Sequence, residues 1–232
     1  AARRPWDRGF EQRRWVRERL CGDPGAPDSL LGAPLFEPAI PWASSGATTG
    51  RLSEDVLTPE LVKALAKAKR EAIPTDREVY AHQETAWRAA RRDRSFVVTS
   101  GTGSGKTECF MIPILDDLVR RPPAPGGGVR AIMLYPLNAL IESQRNRLDA
   151  WLSGFEGRLR YALYNGDLPQ RAPADAGRGP WETPDRKRLR ERPPEILVTN
   201  VTMLEYMIVR PQDRPILDRS RGGLRWIVLD EA

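Results

Sequence analysis

The run Ser100-Gly101-Thr102-Gly103-Ser104-Gly105-Lys106-Thr107 lies directly behind the apolar stretch Phe96-Val97-Val98 and directly ahead of a helix-like stretch from Glu108. Glycines at this spacing let a backbone turn its N–H groups inward around an anion, and a following helix points its positive end at the same place. A Lys closing such a run reaches β- and γ-phosphates, and the Thr hydroxyl beside it holds Mg2+. The pattern G-x-x-x-x-G-K-[ST] is met except at its first position, where Ser100 stands for Gly, and a small residue fits there. A Gly/Ser-rich surface turn would share the composition but not the order strand, loop, helix, with a strand expected at 96–99. Ser100, Gly101, Thr102, Gly103, Ser104, Gly105, Lys106 and Thr107 are therefore the candidate nucleotide-binding residues, Lys106 also a catalytic candidate and Thr107 a candidate Mg2+ ligand.

The far end of the chain carries a second signal. Arg225-Trp226-Ile227-Val228-Leu229 reads as a central parallel strand buried on both faces, and it delivers Asp230-Glu231-Ala232 at its carboxyl end. Ligand chemistry in open parallel sheets gathers at the carboxyl ends of strands. Asp230 is assigned to Mg2+, through water, and Glu231 to orienting the attacking water. Alone, an acidic pair after an apolar run is a solvated strand end; behind a phosphate loop it is a catalytic candidate.

With these motifs stand Gln83 in Tyr80-Ala81-His82-Gln83, the segment Tyr135-Pro136-Leu137-Asn138-Ala139-Leu140, and the segment Thr199-Asn200-Val201-Thr202-Met203-Leu204. In this order, from about residue 76 onward, the chain resembles the superfamily 2 helicases of the DEAD/DEAH-box type. The resemblance implies a RecA-like P-loop NTPase domain using ATP and Mg2+, with Gln83 reading the adenine edge. It also implies that Pro136, Leu137 and Asn138, together with Thr199 and Asn200, track a nucleic-acid strand, and that Asn165-Gly166 forms the small-residue turn between them. DNA is favoured over RNA as partner. A second RecA-like domain of the same longer polypeptide is expected to supply arginine fingers, because the chain ends inside its metal motif, where the family places a His next. More narrowly, Thr107-Glu108-Cys109-Phe110 and the 134–140 segment are similar to large bacterial helicases with further C-terminal domains. Several of these belong to phage-defence systems such as Druantia and DISARM, which implies partner proteins of a defence complex. Two rivals are a P-loop ATPase acting without nucleic acid, against which Gln83 and Thr199-Asn200 argue, and a noncatalytic nucleic-acid-binding module, against which Lys106, Thr107, Asp230 and Glu231 argue.

Charge agrees with a polyanionic partner: 37 Lys and Arg against 31 Asp and Glu give +6, with a pI near 9.7. No apolar run reaches membrane-span length and no signal-peptide core opens the chain, so a cytoplasmic location is expected. Cys21 and Cys109 lack metal-type spacing and read as a surface thiol and a small core residue.

Patterning predicts an α/β fold, a mostly parallel sheet flanked by helices, preceded by an irregular or helical accessory segment over 1–75. That segment includes a helix at 11–20 and another capped by Thr58-Pro59-Glu60 and stopped by Ile73-Pro74. From 76 to 232, helices are expected at 80–91, 105–120, 137–152 and 201–209. Strands are expected at 96–99, 130–135, 160–164, 195–199 and 225–229. Residues 168–194, rich in Pro, Arg and Gly, read as a flexible insertion. Its Arg186-Lys187-Arg188, Arg190 and Arg192 could meet phosphates, but interleaved acids favour a solvated loop. Trp181 reads as an anchor for that loop, and His82 as a packing or capping residue.

Overall fold

The computed structural model describes residues 5–20, 42–68, 70–101, 103–121, 127–173, 176 and 179–230. The chain divides into Ala1–Pro41 and Trp42–Ala232. In the first unit, helix α1 (Pro5–Leu20) covers and extends the expected 11–20, with Arg14 paired to Glu18 at 2.8 Å and Arg19 over the Trp15 ring. The second unit runs in order β1 (Ser44–Thr48), α2 (Thr49–Leu52), α3 (Pro59–Ala66), β2 (Glu78–Tyr80) and α4 (Ala81–Arg91). It continues with α5 (Lys106–Arg120), β3 (Ala131–Leu134), α6 (Asn138–Leu152), β4 (Tyr161–Tyr164), α7 (Arg186–Glu191), β5 (Ile196–Thr199), α8 (Val201–Val209), α9 (Arg214–Ser220) and β6 (Trp226–Leu229).

The main sheet is wholly parallel, in order β4-β5-β3-β6. Alternation along its strands sends Met133, Tyr161, Leu163, Ile196 and Val198 into a core with α3, α5 and α6, and Ala162, Tyr164 and Leu197 into a second core with α7, α8 and α9. Helices lie on both faces, as is usual for parallel sheets. The register is flush: Leu134 lies opposite both Thr199 and Leu229, and Tyr164 opposite Thr199. All four carboxyl ends therefore lie along one edge.

Four expectations are corrected. Residues 94–101 form no strand: β6 pairs only with β3, so the apolar run 96–98 has no ladder to join among the described residues. Phe96 and Val98 pack on the core, while Val97 is 89% exposed. For the same reason β6 is not buried on both faces. It is an edge strand, with Trp226 and Val228 against the core and Ile227 and Leu229 each 64% exposed. Residues 42–75 belong to the compact unit rather than to an accessory segment, because β1 pairs antiparallel with β2 and α3 buries Leu61 and Leu65 in the main core. Thr58 caps α3 as expected, accepting from the Leu61 N–H at 3.3 Å, but the helix ends at Ala66, well before Pro74.

The fourth correction concerns 168–194, which is not an irregular loop throughout. It carries α7, capped by Asp185 accepting from the Arg188 N–H at 2.7 Å, and buries Leu168, Thr183, Asp185, Arg186 and Leu189. Trp181 anchors it as expected, donating to Asp149 at 3.0 Å and packing on the core.

Candidate functional site

The phosphate loop is braced from three sides. Gly103 and Gly105 sit at φ 75° and 76°, conformations open to glycine at no steric cost, and Gly105 is the N-cap of α5. Ser100 and Ser104 share a hydroxyl–hydroxyl hydrogen bond of 2.6 Å, and Ser104 is buried. From α4, the His82 ring nitrogen donates to the Ser104 carbonyl at 2.9 Å and Gln83 Nε2 donates to the Gly105 carbonyl at 3.3 Å. Any Cβ on Gly105 would collide with that amide nitrogen. His82 stacks on Tyr80 and meets Trp42 edge-on, and Trp42 in turn sits against Gly101. Lys106 Nζ donates back to the Ser100 carbonyl at 3.0 Å, which holds the ammonium across the loop. These features fit a phosphate: freed backbone N–H groups at the start of a 15-residue helix, and a cation drawn over them.

Gln83 is buried and bonded at both ends of its amide. Its Oε1 accepts from the Tyr80 N–H at 3.2 Å in a capping box while its Nε2 holds the loop. Behind it, the buried Trp87 donates to the Glu108 carbonyl at 2.9 Å, fastening α4 to the first turn of α5. Cys109 is buried as expected; burial, then the Glu108 charge, pushes its thiol up to about 11, so it stays neutral and structural.

Asp230 stands at the end of β6, its N–H donating to the Leu134 carbonyl at 3.1 Å. Glu231 and Thr102 lie outside the described residues. No hydrogen bond or ion pair joins Asp230 to the loop among the described residues. The link is indirect, and patterning did not reveal it. Buried Asp117, near the end of α5, accepts from Arg225 Nε at 2.7 Å and from Trp226 Nε1 at 3.0 Å. The last turns of α5 thus sit at the amino end of β6, and the helix runs about 22 Å from end to end at 1.5 Å per residue.

Three loops continue along the carboxyl edge of the sheet. The Tyr135 N–H donates to the Thr199 carbonyl at 3.0 Å, Thr199 Oγ1 donates to the Tyr164 carbonyl at 2.6 Å, and Asn200 Nδ2 donates to Asn138 Oδ1 at 2.9 Å. Pro136, Leu137, Asn138 and Gly166 are exposed and Asn200 is half-buried. Thr199 and Asn165 are buried and turned inward, Asn165 accepting from the Leu168 N–H at 3.1 Å. They tie the edge together rather than face solvent.

Residues 80–232 match the DEAD/DEAH box helicase family. The chain is 26% identical to the Druantia protein DruE of Escherichia coli over 88% of its own length and 16% of that protein's. It is 27% identical to the uncharacterized ATP-dependent helicase YprA of Bacillus subtilis over 75% of its own length and 20% of that protein's. The crystal structure of the DUF1998 helicase MrfA bound to DNA and AMPPNP shares the fold, with a TM-score of 0.58 at 23% identity, over 84% of this chain and 22% of that one. The chain therefore spans 16–20% of the length of the two curated relatives.

Proposed function

The chain belongs to the DEAD/DEAH box helicase family, and we propose that it is the nucleotide-binding half of an ATP-driven DNA motor within a longer polypeptide. The observation that carries this proposal is the common edge, where Asp230 and the exposed turns after β3 and β4 lie at the carboxyl ends of one flush parallel sheet, together with a braced glycine loop at the head of α5 that suits a phosphate. Lys106 and the first N–H groups of α5 hold the β/γ-phosphates, and Gln83 orients the base. Thr107 and Asp230 would hold Mg2+, Asp230 through water, and the ion when bound offsets phosphate charge. Glu231 orients the attacking water. Pro136, Leu137, Asn138, Gly166 and Asn200 meet the strand, while Asn165 and Thr199 fix the turns that do so. A second RecA-like domain completes the site with arginine fingers, worth roughly 10³–10⁵-fold in turnover. Similarity to a Druantia protein supports an anti-phage setting with partner proteins. A cytoplasmic place suits this role, and among the described residues no helix is long and apolar enough to cross a membrane.

The test is ATP turnover by the intact protein with and without DNA. Lys106→Ala should lower it by about 10²–10³-fold, the scale of removing one preorganised charge donor. Glu231→Gln should keep ATP binding and lose hydrolysis. Wild-type turnover that ignores DNA would favour an ATPase working without nucleic acid.

A further inference from the structure

We propose that Arg186 is a positioning residue for nucleic acid, a buried guanidinium that fixes the Asn165-Gly166 turn from beneath; this rests on the nucleic-acid role proposed for that edge. Arg186 opens α7, in the insertion, and is 6% exposed. Its Nη2 donates to the Asn165 carbonyl at 2.8 Å and its Nε to the Leu168 carbonyl at 2.9 Å. One planar fork thus clamps both ends of the turn, a geometry that a lysine ammonium cannot reproduce. Asn165 Oδ1 accepts from the Leu168 N–H inside the same loop, so the exposed Gly166 backbone and the exposed Asp167 side chain are what the turn offers outward. A Cβ at Gly166 would meet nothing within 4 Å, which marks open approach to that backbone.

The charge of Arg186 is as informative as its hydrogen bonds. Among the described residues no carboxylate pairs with it. Asp213, wholly buried nearby, has one oxygen on Arg190 at 2.7 Å and the other on the Tyr164 hydroxyl at 2.7 Å. Arg186 instead lies 4.8 Å from the Tyr164 ring centroid and bonds only neutral carbonyls. Burying an unpaired cation is costly; two carbonyls and the Tyr164 face offset part of that cost, while the buried Nη1 has no hydrogen-bond partner among the described residues. Its charge places a positive potential directly under a turn on the proposed strand path. Arg190, Asp213 and Tyr164 form the frame that keeps the guanidinium there, and Thr199 Oγ1 on the Tyr164 carbonyl ties that frame to β5.

The experiment titrates DNA into the intact protein and reads half-saturating DNA for ATP turnover, together with DNA-free turnover, the KM for ATP and thermal stability. Arg186→Ala should raise half-saturating DNA about tenfold or more and leave DNA-free turnover and the KM for ATP unchanged. Arg186→Lys, which keeps charge but not the fork, should give an intermediate rise of about threefold, and it carries the test where the alanine variant does not fold. Unchanged DNA dependence in the lysine and alanine variants would overturn the assignment. A parallel loss of DNA-free turnover, ATP affinity and thermal stability would also overturn it, by making Arg186 a general packing residue. If wild-type protein neither binds DNA nor responds to it, the nucleic-acid role of the edge falls first, while the Lys106→Ala result on the phosphate loop stands.

Discussion

Gln83 shows how one side chain can serve two elements. Its amide closes the capping box of α4 and reaches the carbonyl of Gly105, so the helix that presents it also restrains the phosphate loop. The amide nitrogen keeps a second N–H and the oxygen a second lone pair, so the base-reading role proposed for Gln83 can coexist with these bonds. Removing the contact should loosen the loop by roughly the worth of one hydrogen bond, about 0.5–1.5 kcal/mol. Gln83→Ala is therefore expected to weaken ATP binding by up to about tenfold and to narrow the preference for ATP over GTP, measured as Kd for each nucleotide. Equal weakening of both would leave Gln83 with the loop contact alone. The residue type at this position was legible in the sequence, but its partner was not. Gly105 lies 22 positions away, and only the packing of α4 on α5 brings the two together.

At the scale of elements, α5, α6 and α8 lie within a residue or two of their expected bounds, because strong periodicity and short connections leave little freedom. The failures have a shared cause. β1, with the sequence Ser-Ser-Gly-Ala-Thr, has no apolar alternation and exists only through its pairing with β2. Residues 96–98 form an apolar run but have no neighbouring strand among the described residues. α7 reads as a solvated charge run because the partners that bury its arginines, Tyr164 and Asp213, lie 22 and 23 positions away from Arg186 and Arg190. Local composition cannot report a distant partner. The Asp117 tether is of the same kind, joining α5 to β6 across 108 positions. Asp117→Ala should leave the Trp226 N–H without its partner and free Arg225 Nε, on a side chain that is a third exposed and stays paired to Asp93 at 2.9 Å. Breaking a fully buried pair costs about 3–5 kcal/mol; partial exposure of this arginine lowers the expectation to about 2–4 kcal/mol. Chemical denaturation monitored by tryptophan fluorescence checks it, and a loss below about 0.5 kcal/mol would show that packing alone holds β6 against α5.

Across the whole molecule, the glycine-rich loop ahead of α5 was readable because its positive-φ positions favour glycine, whereas the acidic strand end was readable only as a pattern, with Glu231 outside the described residues. The strand-tracking positions were named from family resemblance, and the fold divides them. Pro136, Leu137, Asn138 and Gly166 face outward, whereas Thr199 and Asn165 are structural ties. Those ties run from Tyr164 through Thr199 to Tyr135, and the same edge continues through Leu134 to Asp230. A sheet edge laced in this way offers a route by which nucleotide and nucleic acid influence each other. Such coupling is reciprocal, since each ligand must change the other's affinity by the same factor. The most direct test is the Kd of a non-hydrolysable ATP analogue for the intact protein, measured without DNA and with saturating DNA. The account predicts a change of about 5–150-fold, the usual range for coupled sites, with DNA affinity shifting by the same factor when the analogue is bound. Identical analogue affinity with and without DNA would contradict it.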